Sequence, residues 1–276
     1  MVAQSGPGIG EIKLRQKATW ESGDFGEVAK HLVPIAEQFM ARVKLWPGAK
    51  VLDAACGTGN LAMIAAGRGC ETFGLDIASN LVAQARERAQ QEHLCIDFTE
   101  GDAEAMPYPD ASFDVVVSMF GVMFAPRPER VMTELWRVTK PGGLIAMANW
   151  TPDGFIGKMF AVFGRHLPPS PGLPSPLLWG DERVVRCRFE FAADDLQLSR
   201  QVARLRYPFD AATTVNFFRR YYGPTNRAFA ALTPEWQVEL MCDLVEIQMR
   251  HNVSPNADET DTPAEYLEVH ARRARN

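Results

Sequence analysis

A chain of 276 residues, 46% of them hydrophobic and 23% charged, has the composition of a folded globular protein, which excludes fibrous and disordered classes. Its formal net charge of -5 argues against a general binder of nucleic acid or of anionic membranes and leaves small neutral or cationic partners easier to reconcile. The cysteines Cys56, Cys70, Cys95, Cys187 and Cys242 are scattered without a C-x-x-C pair and read as free thiols. With no basic-then-apolar leader and no long apolar run, a cytoplasmic protein without membrane or nucleic-acid partners is expected.

After a glycine-rich start read as mobile, residues 27–43 place Val28, Leu32, Ile35, Ala36, Phe39 and Val43 at helical spacing, with Pro34 kinking or restarting the helix. Five short β-type runs follow, at 50–54, 71–76, 96–100, 113–119 and 144–149. Helical stretches at 60–67, 79–91 and 129–138 separate them, and Lys140-Pro141-Gly142-Gly143 stops the last. The order β-α-β-α-β-x-β-α-β predicts a parallel sheet. Beyond Trp150 the rhythm changes. Residues 151–181, rich in Pro and Gly, predict one short helix around Met159, Phe160, Val162 and Phe163, then a loop through Pro168 to Pro176. A strand is expected at 196–207, helices at 211–232 and 234–251, the second N-capped by Thr233 before Pro234, and a last strand at 266–272. If the last two strands join the main sheet, the helices between them cap one edge.

The segment Val51-Leu52-Asp53-Ala54-Ala55-Cys56-Gly57-Thr58-Gly59-Asn60 is an apolar strand carrying an acid into a glycine turn. Glycines there accept positive φ and let a ligand approach the backbone closely. The run from Gly57 also satisfies G-x-G-x-x-A, which alone is weak evidence of a dinucleotide site. Asp53 would repel a pyrophosphate and attract an ammonium group. Gly74-Leu75-Asp76 ends the second strand with an acid suited to ribose hydroxyls, a feature shared with NAD proteins, and Gly101-Asp102-Ala103 offers a carboxylate to an adenine amine. Three acids at three successive strand ends suggest a nucleoside that carries positive charge and no phosphate.

These motifs resemble those of class I S-adenosylmethionine-dependent methyltransferases over about 44–150. Residues 51–59 are similar to the family's first motif, Leu75-Asp76 to its ribose-binding acid, and Gly101-Asp102-Ala103 to its adenine turn. Met106 to Asp114 resembles the stretch before its fourth strand, and Val138 to Gly143 the turn before its fifth. The style is closest to the ubiquinone/menaquinone-biosynthesis-like small-molecule branch, with one departure: Phe124 stands where many of those relatives carry His. The resemblance implies an α/β, Rossmann-like, seven-stranded, mostly parallel sheet with helices on both faces and a helical cap insertion before the last strand. It implies an N-terminal helical segment at 1–45, a cofactor-binding core at 46–150, a loop and cap region at 151–252 that includes one core strand, and a closing strand at 253–276. It also implies S-adenosyl-L-methionine as cofactor and S-adenosyl-L-homocysteine as product. Asp53, Ala55, Gly57 and Gly59 would surround the amino-acid end, Asp76 and Ile77 the ribose, Asp102 and Ala103 the adenine, and Ser118 and Met119 the methyl-donor end, with Trp20 closing over them.

Methyl transfer is an in-line displacement that asks for positioning and exclusion of water, effects that reach about 7 to 11 kcal/mol in intramolecular models. A general base helps only when the nucleophile is protonated. Candidates for one are His166, Tyr221 and Tyr222, the tyrosines following Arg219-Arg220; His31, His93, His251 and His270 are weaker. Phe120, Met123, Phe124, Met159, Phe160 and Phe163 can supply an apolar pocket for a small, apolar or aromatic acceptor. No spacing of ligand residues suggests a metal. The rival readings are a nucleic-acid methyltransferase, a non-catalytic S-adenosylmethionine-binding regulatory domain and, more distantly, an NAD-dependent dehydrogenase. A monomer and a homodimer both stay open.

Overall fold

A computed structural model describes residues 8–168 and 172–275 of the chain. Seven strands form one sheet: β1 Lys50–Ala54, β2 Glu71–Asp76, β3 Ile96–Glu100, β4 Phe113–Met119, β5 Thr139–Trp150, β6 Ala193–Tyr207 and β7 Thr260–Arg273. Their spatial order is β3-β2-β1-β4-β5-β7-β6. The first five run parallel, and β7 lies antiparallel between β5 and β6. Val115, Val116 and Val117 are all fully buried although successive side chains point to opposite faces, so both faces of the sheet are covered.

The expected βα alternation is present in α3 Asn60–Gly67, α4 Ser79–Gln91 and α5 Pro128–Val138. Before them, α2 Phe25–Arg42 runs straight through Pro34, capped by Asp24, and buries Val28, Ile35, Ala36, Phe39 and Met40. The apolar stripe outweighs the one amide that proline removes.

Three expectations beyond the core need correction. Of the start read as mobile, residues 1–7 lie outside the described residues, and α1, Ile9–Trp20, is a helix. It buries no residue fully, so no apolar period announces it. Polar contacts hold it instead: Lys13 pairs with Asp102 and, at 2.6 Å, Glu104, and Gln16 Nε2 donates to the Phe124 carbonyl at 2.7 Å. Between 151 and 192 there is α6 Phe155–His166 as expected, but also a 3₁₀ turn Pro176–Gly180 and α7 Glu182–Phe189, started by Asp181 accepting from the Arg183 and Val184 amides. Residues 169–171 of the expected loop lie outside the described residues.

The helix expected over 211–232 is two, α8 Ala211–Tyr221 and α9 Gly223–Ala230. Pro224 restarts the chain, and a Cβ on Gly223 would meet the Thr19 carbonyl at 1.9 Å. Next comes α10, Pro234–His251, with Thr233 at its N-cap position. The long β6–β7 pairing returns the chain to the sheet, so α8 to α10 are an insertion between the edge strand β6 and its neighbour β7. They carry a small core of their own with α6, built from Val162, Val215, Phe229, Leu240 and Leu244. Among the described residues no helix is long and apolar enough to cross a membrane.

One ion pair ties α2 to the closing strand. Arg42 Nε donates to both oxygens of Glu268 at 2.9 Å, and its Nη2 to Glu268 at 2.6 Å and to Tyr266 Oη at 2.8 Å. Glu268 is 3% exposed. Burial pushes its carboxyl up, but hydrogen bonds from His270 and Arg42 outweigh that and hold it below the usual range. Removing one partner leaves a buried charge. Arg42→Ala should therefore lower the unfolding free energy by about 3 kcal/mol in urea titration, where an exposed pair would cost under about 1 kcal/mol.

Candidate active site

The strand ends and the glycine turn form one carboxylate-shaped structure. Ala55, Gly57 and Gly59 have φ of 56°, 54° and 84°, and Gly59 starts α3. Asp76 Oδ2 accepts from the Gly57 amide at 2.8 Å and Oδ1 from the Ala78 amide at 2.9 Å, while Asp53 Oδ2 accepts from the Ala62 amide at 3.1 Å. The two acids thus fix the turn and the first turns of two helices. Both are buried. Desolvation pushes the Asp53 carboxyl up to about 8 against the opposing Ala62 bond, with the Asp76 charge adding to the rise. Burial also raises Asp76, and the Cys56 thiol beside them rises for the same reason.

A single cavity opens from this turn. Trp20, Asp53, Ala55, Gly57, Asp76, Ile77, Asp102, Ala103 and Met119 line it. So do the apolar residues Phe120, Phe124, Trp150, Met159, Phe160 and Phe163, joined by Tyr207, Tyr222, Thr225 and Gln248. The rings are packed against one another: Phe120 and Trp150 stack at 3.6 Å with planes 7° apart, and Trp20 meets Phe124 at 5.0 Å and Tyr222 at 5.9 Å edge to face. Phe124 is thereby part of the apolar wall.

Several residues singled out by the sequence are not on that wall. Ser118 is buried beneath it, donating to the Ala54 carbonyl at 2.7 Å and accepting from the Val122 amide at 3.2 Å, so it braces β4 against β1. Gly59 faces the Phe98 ring, 2.9 Å from where its Cβ would stand, and serves the turn and its packing. Met123 is core. His166 bonds Asp243 at 2.9 Å and packs on Trp236 at 5.9 Å, between α6 and α10. Tyr221 is off the wall under the Arg220 guanidinium, whereas the adjacent Tyr222 is on it. Of the other histidines, His270 pairs with Glu268 at 3.1 Å and His93 closes the end of α4 on the surface.

Sequence reasoning missed Lys13, Gln16, Trp150, Tyr207, Thr225 and Gln248, all on the wall. Trp150, directly after the predicted fifth strand, had the only local signal.

Comparison with known proteins decides the family. Residues 52–147 match the model of the methyltransferase domain. An uncharacterized protein of Mycobacterium tuberculosis is 36% identical over 222 residues, covering 79% of this chain and 81% of its own. The demethylmenaquinone methyltransferase of Deinococcus radiodurans is 37% identical over 127 residues, 45% of this chain and 53% of its own. The YcgJ protein of Bacillus subtilis, at 16% identity, shares the fold with a TM-score of 0.59 over 90% of this chain and all of its own.

The chain belongs to the class I S-adenosylmethionine-dependent methyltransferases.

This methyltransferase has a site whose chemistry fits that cofactor. Two buried carboxyl groups stand at the cavity wall and accept only from backbone amides among the described residues, so an arriving cation finds carboxyls that no cationic side chain already answers. The glycine turn leaves bare backbone at the same place.

The raised Asp53 carboxyl has a definite sign. In the folded, ligand-free enzyme it keeps its proton up to about pH 8, whereas unfolded Asp loses it above about 3.9. The folded state therefore binds more protons between those values, and this group's contribution to stability falls as pH rises. The stability advantage of Asp53→Asn over wild type should grow from about pH 4 to about pH 8 and then level off, as read by urea midpoints; an advantage independent of pH would contradict it.

Proposed function

We propose that this methyltransferase transfers the methyl group to a small apolar or aromatic acceptor, held in the aromatic half of the cavity under the cap. The observation that carries this reading is the make-up of the cavity wall: carboxylates and bare backbone from the glycine turn and strand ends, together with rings and methionine. Asp53, with Ala55 and Gly57 beside it, receives the ammonium end of the cofactor. Asp76 and Ile77 hold the ribose, Asp102 and Ala103 the adenine, and Met119 and Trp20 enclose the sulfur end; Ser118 and Gly59 act from behind the wall. In domain terms, 46–150 holds the cofactor, while 1–45 and 151–252 enclose the acceptor and 253–276 closes the sheet. The five cysteines are unpaired, which supports a reducing, cytoplasmic setting.

The bound cofactor supplies an electrophilic methyl group on a sulfonium and leaves as S-adenosyl-L-homocysteine. The chain's own contribution is alignment and exclusion of water. Phe120, Phe124 and Trp150 present flat, tightly packed faces that restrict the acceptor's orientation. Burial raises the Tyr207 and Tyr222 phenols far above their ordinary range, so both stay protonated and serve as donors, not bases. His166 is occupied by Asp243. Catalysis here therefore asks for an acceptor whose nucleophile needs no proton removed by the protein.

Three measurements test this. Asp76→Ala should weaken S-adenosylmethionine binding at least tenfold by calorimetry, since ribose contacts and the Gly57 amide bond are lost together; unchanged affinity removes Asp76 from the site. At pH 7 the ligand-free Asp53 carboxyl is mostly protonated, and an arriving ammonium lowers it, so binding should release roughly one proton in buffers of differing ionisation enthalpy, with affinity rising up to about pH 8. Asp53→Asn should abolish that release. Incubating the enzyme with cell extract and isotopically labelled cofactor should give a labelled small, organic-soluble product by mass spectrometry; label confined to nucleic acid would overturn the acceptor class.

A further inference from the structure

Among the amides on the cavity wall, Gln248 has two ends that face different surroundings. Gln248 lies on α10, is 5% exposed, and lines the cavity. Its Nε2 donates to Thr262 Oγ1 on β7 at 2.7 Å, a bond between buried groups. Among the described residues nothing donates to its Oε1. A carbonyl oxygen on a cavity wall takes its donor from whatever fills the cavity, so a ligand that displaces water there has to supply one.

The register places donors beside it. Thr262 pairs with Leu205 and Thr260 with Tyr207, and both Leu205 and Tyr207 line the same cavity. Phe218 bridges the two phenols, 5.3 Å from the Tyr207 ring and 5.9 Å from that of Tyr222. Neither phenol has a hydrogen-bond partner among the described residues. This wall thus offers the Gln248 oxygen as an acceptor and the Tyr207, Tyr222 and Thr225 hydroxyls as donors, in a cavity that Asp53, Asp76 and Asp102 also line.

A carboxylate ligand would face Oε1 with like polarity, and an ammonium would find no counter-charge. A pure hydrocarbon would leave Oε1 bare. A neutral hydroxyl satisfies both sides with one atom, donating to the amide and accepting from a phenol. We propose that Gln248 is the specificity-determining residue of the acceptor half, and that the acceptor is an apolar ring system or chain carrying a neutral hydroxyl gripped by Gln248 and a buried tyrosine. Gln248 removes no proton; it positions. This rests on the apolar-acceptor reading above.

The test uses 2-naphthol and naphthalene as probes, their affinity read from quenching of Trp20 and Trp150 fluorescence in the full-length enzyme saturated with S-adenosyl-L-homocysteine. Wild type should prefer 2-naphthol by about tenfold or more, the worth of a buried group left unpaired. Gln248→Leu should reduce that preference to below about twofold while holding naphthalene and the cofactor product as before; Gln248→Met, judged by the same ratio, decides the matter should the leucine variant fold poorly. Thr262→Val loses the internal bond yet keeps the amide, and should retain the preference; equal loss in Thr262→Val and Gln248→Leu would make the role structural and overturn the proposal. A wild-type preference below twofold overturns it as well. Failure of both probes to bind, with the cofactor product still held, overturns the apolar-acceptor reading itself.

Discussion

Asp53 and Asp76 are held out of water beside a single glycine turn, and the rest of the site is arranged around the cost of doing so. Backbone amides of Gly57, Ala62 and Ala78 answer them in part. Amide dipoles alone leave Asp53 protonated in the ligand-free protein up to about pH 8, far above an ordinary aspartate. A carboxyl so placed is poised for a cation: the arriving charge supplies what burial removed, and the amides that shape the turn are already in position. The same bonds set the direction in which α3 and α4 leave the sheet, so fold and cofactor site are one electrostatic structure.

The other end of the cavity obeys the opposite rule. Its walls are stacked rings and methionine, and its polar atoms are hydroxyls and an amide that neither carry charge nor take protons near neutrality. Charge can orient one ligand but cannot choose the other. On the proposed reading, selection of the acceptor depends on shape and on a few neutral hydrogen bonds, and these come from β6, α8, α9 and α10, elements that follow the parallel strands in the chain.

What the sequence disclosed follows from the period of its signals. The strands at 50–54, 71–76 and 113–119 announced themselves because parallel strands covered on both faces are continuous apolar runs, and the acids at their ends were conspicuous against them. Ser118 and Gly59 were legible as belonging to the site region but not as lying behind its wall, because proximity in sequence does not say which way a side chain points. Lys13 and Gln16 were invisible: α1 buries nothing fully and is held by ion pairs and one backbone acceptor, and such contacts leave no periodic trace. Tyr207 and Gln248 were out of reach for another reason. Each is one polar residue in an otherwise ordinary strand or helix, and only the β6–β7 register brings them to a common cavity.

The first helix couples the core to the cap. Thr19, at the end of α1, presents its carbonyl where a side chain on Gly223 would stand, so the entry helix packs on the start of α9 with no room between them. The same helix reaches the acids just after β3 through Lys13, which pairs with Asp102 and with the fully buried Glu104, itself fixed by Arg127 at 2.7 Å. An element with no buried side chain of its own thus touches the end of the parallel sheet through charge and the cap through close backbone contact. Exposed ion pairs contribute little, but a buried carboxylate with two cationic partners is costly to strand. The Glu104 pairing therefore holds α1 more firmly than its exposure suggests, and through Trp20 at the helix end that hold reaches the aromatic wall against Phe124 and Tyr222.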